Sequence, residues 1–244
     1  MGTCSIYTVY RTAQGQYVAA GWTGNISVGT SGINIMTGTS GPDLMLGLGG
    51  GDIMTGLGGD DVMCGGDGND FLLGNDGNDI LDGGNGSDVL NGGNGDYDQL
   101  YGGDGNDVLL DGDGVLVAQG GVGTDAITLS VRNGWRDRNG QARFEGVSAG
   151  YGDDVVALAI LDPAVFFLNI TGDERDTPPS PLEGNNDSLA VAGNLDPASV
   201  IIKFENRVAV GTTFTATTAI SDDDGAEYLT PDGSTTVYLP IVSR

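Results

Sequence analysis

The stretch that decides the fold is GLGGDDVMC (56–64), GGDGNDFLL (65–73), GNDGNDILD (74–82) and GGNGSDVLN (83–91). Each block has nine residues, with Gly fourth, Asp sixth and an apolar residue eighth. Upstream the period runs back through GLGGGDIMT (47–55) and GTSGPDLML (38–46) to GTSGINIMT (29–37). Downstream come the ten-residue GGNGDYDQLY (92–101), then GGDGNDVLL (102–110), DGDGVLVAQ (111–119) and GGVGTDAIT (120–128). Glycine holds the fourth place in every unit, which an average glycine frequency of about 7% cannot produce by chance. A fixed short period of this kind means a stacked architecture.

The sixth place carries Asp43, Asp52, Asp61, Asp70, Asp79, Asp88, Asp98, Asp107 and Asp125. The eighth runs Met36, Met45, Met54, Met63, Leu72, Leu81, Leu90, Leu100, Leu109, Ala118 and Ile127. Glycines let the chain turn with positive φ and let backbones approach closely, so each unit reads as a turn followed by a short strand. Side chains alternate along a strand; with the eighth residue inward, the seventh and ninth face out. Two units make one coil, so each stacks on the unit two ahead at about 4.8 Å. That spacing brings bare carboxylates into two columns, which repel unless a cation lies between them. The ion that takes carboxylate and carbonyl oxygens from turns is Ca²⁺.

This pattern resembles the RTX (repeats-in-toxin) calcium-binding nonapeptide, G-G-x-G-x-D-x-U-x, whose fold is a parallel β-roll. The resemblance covers residues 29–128. With ions between same-side turns, one column is Asp52, Asp70, Asp88, Asp107 and Asp125, and the other Asp43, Asp61, Asp79 and Asp98. Adjacent pairs give roughly seven calcium sites, and Asn34 closes an eighth at the N-terminal end. Two departures disturb the series. Leu116 replaces the sixth-place aspartate while Asp111 replaces the first glycine, which leaves the site after Asp98 in question. The extra residue among Asp96, Tyr97 and Asp98 leaves open which aspartate ligates there.

Charge follows the same logic. The formal net charge is −25, with 17 Asp and no Glu in 29–128, and neither Lys nor Arg falls between Arg11 and Arg132. Seven or eight Ca²⁺ ions would offset about 14 to 16 charges, nearly the whole local excess. The acidity belongs to metal binding and argues against nucleic acid, whose phosphates need basic patches. The sequence contains no histidine, which removes Ser-His-Asp and Cys-His nucleophiles and imidazole-bound zinc. Its glutamates are scattered, with no signal for a paired-carboxylate glycosidase. We therefore expect no enzyme.

No stretch reaches the ~18 apolar residues of a membrane span. Weak calcium sites of this type load only at millimolar calcium, so we expect a secreted, extracellular or cell-surface protein. The family resemblance implies export by type I secretion, although TTVYLPIVSR (235–244) is not diagnostic of its signal.

The flanks are expected to be β-rich. Residues 1–28, with strands at 5–11 and 17–20, read as an N-terminal β cap over the open end of the stack. Cys4 lies there, and Cys64, ninth in its unit, points outward; an extracellular setting favours their pairing. In 129–244, short apolar runs at 127–131, 142–147, 154–161, 164–170, 188–192, 199–204, 212–220 and 235–242 alternate with Gly, Pro, Asn and Asp. They suggest an antiparallel β-sandwich-like domain. Asp222, Asp223 and Asp224 offer a further calcium loop, with Asp153 and Asp154 as possible partners. The fold class is thus all-β.

On the roll's outside, one face carries Ile35, Ile53, Phe71, Val89, Val108 and Ala126, with Leu73 and Leu110 beside them, and the other Leu44, Leu46, Val62, Ile80 and Val117. Apolar columns of this size need a cover. Flanking strands are expected to supply one, leaving the second for other copies of the chain. The expected function is a calcium-binding structural protein that self-assembles into an extracellular filament, surface layer or matrix. The alternatives are a calcium-dependent adhesin or carbohydrate-binding module recognising cell-surface glycans, or an exported enzyme bearing RTX repeats.

Overall fold

The computed structural model describes residues 2–3, 7–95, 97–112, 114–131, 145–152 and 154–160, and beyond them the backbone of seven short strands. Two parallel sheets face each other, and the chain alternates between them. One holds Asn25–Val28, Asp43–Gly49, Val62–Asp67, Ile80–Asn85, Asp98–Asp104 and Val115–Val122 in that order. The other holds Ile35–Thr37, Ile53–Gly58, Phe71–Asp76, Val89–Asn94, Val108–Asp111 and Ala126–Val131. Register follows the expected stack: Met45 lies on Met63, Met63 on Leu81, and Leu81 on Leu100.

The interior is the eighth column. From Met45 to Ile127 its side chains are fully buried, whereas Met36, on the short strand that begins the ten-stranded sheet, is half-buried. The second and fourth places of most units hold positive-φ residues, for instance Gly66 (φ 108) and Gly68 (φ 129). Leu48, Leu57 and Asn75 adopt the same conformation at second places, where the turn imposes it on residues that disfavour it.

Both flanks correct the sequence reading. The roll begins before Gly29, because Asn25–Val28 is its first strand and Asn25 lies in register with Asp43. Ahead of it, Gly2–Thr3, Thr8–Arg11 and Tyr17–Ala19 form a separate antiparallel sheet. This sheet lies against an outer face of the roll. Val9, Tyr7, Ala19 and Trp22 pack on Leu44, Leu46, Val62 and Cys64, and the edge of the Trp22 ring meets Tyr7 at 5.5 Å. Leu46 is therefore core at 1% exposed. Cys64 is disulfide-bonded; Cys4, the only other cysteine in the sequence, lies outside the described residues.

After Thr128 the expected antiparallel sandwich is not what the described strands form. Ala126–Val131 runs across the expected boundary, and its next partner, Val155–Ile160, is parallel to it. Glu145–Tyr151, Phe166–Thr171, Val200–Phe204 and Ala219–Asp222 extend the first sheet, and Asp187–Gly193 and Val208–Phe214 extend the second, all in parallel. Among the described strands after Thr128, only Glu227–Leu229 and Thr235–Tyr238 pair antiparallel, one at the end of each sheet. Short β-branched runs specify strands but not the direction of their partners. Connections of unequal length hide the repeat that fixes direction.

Candidate metal centre

Each sixth-place aspartate stands where a turn enters a strand, and its backbone takes part in a ladder. The N–H of Asp52 donates to Oδ1 of Asp70 (2.6 Å), Asp70 to Asp88 (2.7 Å), Asp88 to Asp107 (2.8 Å) and Asp107 to Asp125 (2.8 Å). On the opposite side Asp43 donates to Asp61 (2.8 Å), Asp61 to Asp79 (2.8 Å) and Asp79 to Asp98 (2.7 Å). Both expected columns are thus in place. At the bulged unit Asp98 is the residue that joins the column, and Asp96 lies outside the described residues.

These carboxylates are buried, Asp79 and Asp98 completely. The ladder uses one oxygen of each except Asp43, which heads its column and only donates. Oδ2 of Asp52, Asp61, Asp70, Asp79, Asp88, Asp107 and Asp125 has no hydrogen-bond partner. A buried charged oxygen in that condition is costly, and buried polar atoms are ordinarily satisfied. Burial is accordingly the main cause raising these acids above the ordinary carboxylate range. Asp61 and Asp125 are pushed up to about 6, and Asp79 and Asp88 to about 7. Backbone N–H donation pulls each one partly back, and neighbouring carboxylates push the same way as burial.

The first-place glycines show what surrounds these oxygens. A Cβ on Gly47 would collide with Oδ2 of Asp52 and with the carbonyl oxygen of Gly65 on the next coil. Gly56 repeats this with Asp61 and Gly74, Gly65 with Asp70 and Gly83, and Gly74 with Asp79 and Gly92. Carboxylate and carbonyl oxygens from successive coils thus converge on one small space beside each first glycine, which a side chain would fill. Among the described residues no three acidic or thiol side chains converge, so each donor set mixes carboxylate with backbone. An all-oxygen set of this kind suits Ca²⁺ and offers nothing to a metal preferring nitrogen or sulfur. The residues present fit calcium.

The N-terminal end differs. Asn34 donates its N–H to Asp52 Oδ1 (2.6 Å), but its own Oδ1 accepts from the N–H of Thr30 (2.7 Å). Asp43 Oδ2 likewise accepts from the Thr39 N–H (2.6 Å) and Oγ1 (2.9 Å). A threonine in the second place satisfies these two locally.

Two acidic residues escaped the sequence reading of the columns. Asp154 is fully buried, and its Oδ1 accepts from the Asp125 N–H at 2.8 Å. It extends the column by one rung. The signal was present in AGYGDDVVA (149–157), with Gly152 fourth, Asp154 sixth and Val156 eighth, but 20 residues separate it from the previous unit rather than nine or none. Asp111 is also buried. Its Oδ1 accepts from the Gly114 N–H (2.9 Å), and its carboxylate lies beside that of Asp98. Of the second acidic loop, Asp222 ends a strand, while Asp153, Asp223 and Asp224 lie outside the described residues.

A family model, the RTX calcium-binding nonapeptide repeat, matches in four copies at residues 28–63, 65–97 and 97–115. Comparison with curated proteins and with solved structures gives no match. The family match covers the turns from residue 28 to 115, the ladder runs on beyond it to Asp154, and residues 28–115 match RTX calcium-binding nonapeptide repeats.

Proposed function

We propose that this is an exported structural protein, without enzymatic activity, whose calcium-loaded roll assembles with other copies of itself into an extracellular filament, layer or matrix. The observation that carries this reading is the open face of the ten-stranded sheet. Ile35, Ile53 and Phe71 stack in register there at 79%, 46% and 42% exposed, in line with half-buried Val89 and Val108. A flat apolar column on a rigid sheet suits lamination against another sheet, at about 10 Å between faces. Contact between unlike surfaces would not close and would propagate.

Calcium supplies the condition for export to matter. Carboxylate columns remain unoccupied at cytosolic calcium and load at the millimolar levels outside cells, so the assembling face forms only there. Among the described residues no helix is long and apolar enough to cross a membrane. The sequence presents no basic patch for nucleic acid.

Analytical ultracentrifugation of the full chain in millimolar calcium tests the proposal. Large species are expected from the wild type, and folded monomer from Phe71→Glu. A wild-type chain that stays monomeric at high concentration with calcium bound would overturn self-assembly and favour a monomeric glycan-binding adhesin.

A further inference from the structure

The column of Asp43, Asp61, Asp79 and Asp98 should stop at Asp98, because the unit two ahead has Leu116 in the sixth place. The structure treats this rung differently from the rest. The register of the neighbouring strands shifts between Asp98 and Gln99: Asp98 lies opposite Val115 and Gln99 opposite Val117, so Leu116 is the extra residue of a bulge. The Asp98 N–H, with no following carboxylate to donate to, meets the Gly114 carbonyl at 3.4 Å.

The second oxygen is replaced from another position. A Cβ on Gly92 would stand 2.5 Å from Oδ2 of Asp111 and 2.7 Å from Oδ2 of Asp98. At Gly56, Gly65 and Gly74 the corresponding neighbours are one aspartate Oδ2 and a first-place carbonyl oxygen. Asp111 is itself a first-place residue, so its carboxylate enters the space that a glycine carbonyl faces elsewhere. Asp98 is fully buried, and Asp111 is only 4% exposed. Two buried carboxylates aimed at one point repel strongly when both are ionised, and without an ion they sit together by sharing a proton in a side-chain hydrogen bond.

We propose that Asp98 and Asp111 together hold a calcium ion at the interrupted rung, with Asp111 compensating in the first place for the carboxylate that Leu116 cannot provide. This rests on the calcium-binding reading of the repeats. An ion there takes the place of the proton that the two side chains otherwise share and lets the stack pass the irregular unit without a break. One glycine-to-aspartate change then offsets one aspartate-to-leucine change five residues away.

Native mass spectrometry of the full chain in calcium, compared for wild type, Asp111→Asn and Asp111→Gly, tests this. Both variants are expected to carry one ion fewer than wild type. Asp111→Gly restores the residue that first places hold elsewhere, so it keeps the test alive if Asp111→Asn does not fold. Asp88→Asn, in the regular column, calibrates the loss of a ligand. A wild-type chain that binds calcium and an Asp111→Gly chain with the same number of ions would overturn the role of Asp111 alone. A wild-type chain without bound calcium would overturn the calcium reading itself.

Discussion

The two outer faces of the roll are built from the same places of the same repeat, yet over the first coils one is core and the other surface. Leu44, Leu46, Val62 and Cys64 are buried under the N-terminal sheet. Ile35, Ile53 and Phe71, at equivalent places on the opposite sheet, are exposed. Nothing within a nonapeptide distinguishes them. A repeat determines which way a side chain points, and non-repeating chain elsewhere determines whether anything meets it.

Calcium removal is the most severe test, because the turns serve both sheets and both faces should vanish together. Without an ion, the columns are left with buried, unsatisfied carboxylate oxygens. A glycine-rich chain also loses much backbone entropy on folding, so metal binding free energy becomes folding free energy. Circular dichroism during EGTA titration is expected to lose most of the strand signal. A spectrum that survives would mean the stack holds itself together without metal.

Leu46→Asp against Ile53→Asp breaks the comparison directly. The first places a charge under the N-terminal sheet and should cost roughly 4 kcal/mol or more. The second adds a charge to an open face and should change stability by about 1 kcal/mol or less. Thermal melts in excess calcium measure both. Equal damage would show that the Ile53 face is covered within the subunit, which would also remove the surface proposed for assembly.

The pH response should be smaller and common to both faces. In the calcium-free roll Asp61 stands at about 6 and Asp79 and Asp88 at about 7, above the unfolded value of 3.8. A raised folded pKa means the folded state binds more protons, so this contribution is fully present below about 4 and is lost as pH rises towards 7. Calcium needs the same groups ionised, so the calcium-loaded roll has the opposite slope, and affinity should weaken as pH falls from 7 to 5. Circular dichroism of chain stripped of calcium by dialysis, beside thermal melts in excess calcium, at pH 5 and 7.5 would show the two signs: the stripped chain regains strand signal towards pH 5, and the loaded chain melts lower there. Parallel slopes would mean that these carboxylates are not the ligands.

Much of the site was legible because its cause is local. Each turn carries its own glycines and aspartate, and stacking brings like places together, so both columns followed from the period alone. Asp154 was missed where the spacing to the previous unit changes, although its own nine residues fit the pattern. Asp111 could be seen as a departure, but not as a compensation. Which space its carboxylate enters depends on the bulge at Leu116 and on the glycine one coil below.

The sequence by itself determined the roll, its two carboxylate columns, its dry eighth-place interior and its need for an oxygen-coordinated cation. These depend on periods of nine and eighteen residues, which a chain carries wherever it folds. Tertiary structure decided that the strands after Thr128 continue the sheets in parallel, since partner direction is set by what a strand stacks on. It also decided that Leu46 is core while Ile53 is not, because burial depends on contact with the N-terminal sheet, from residues far outside the unit that holds either one.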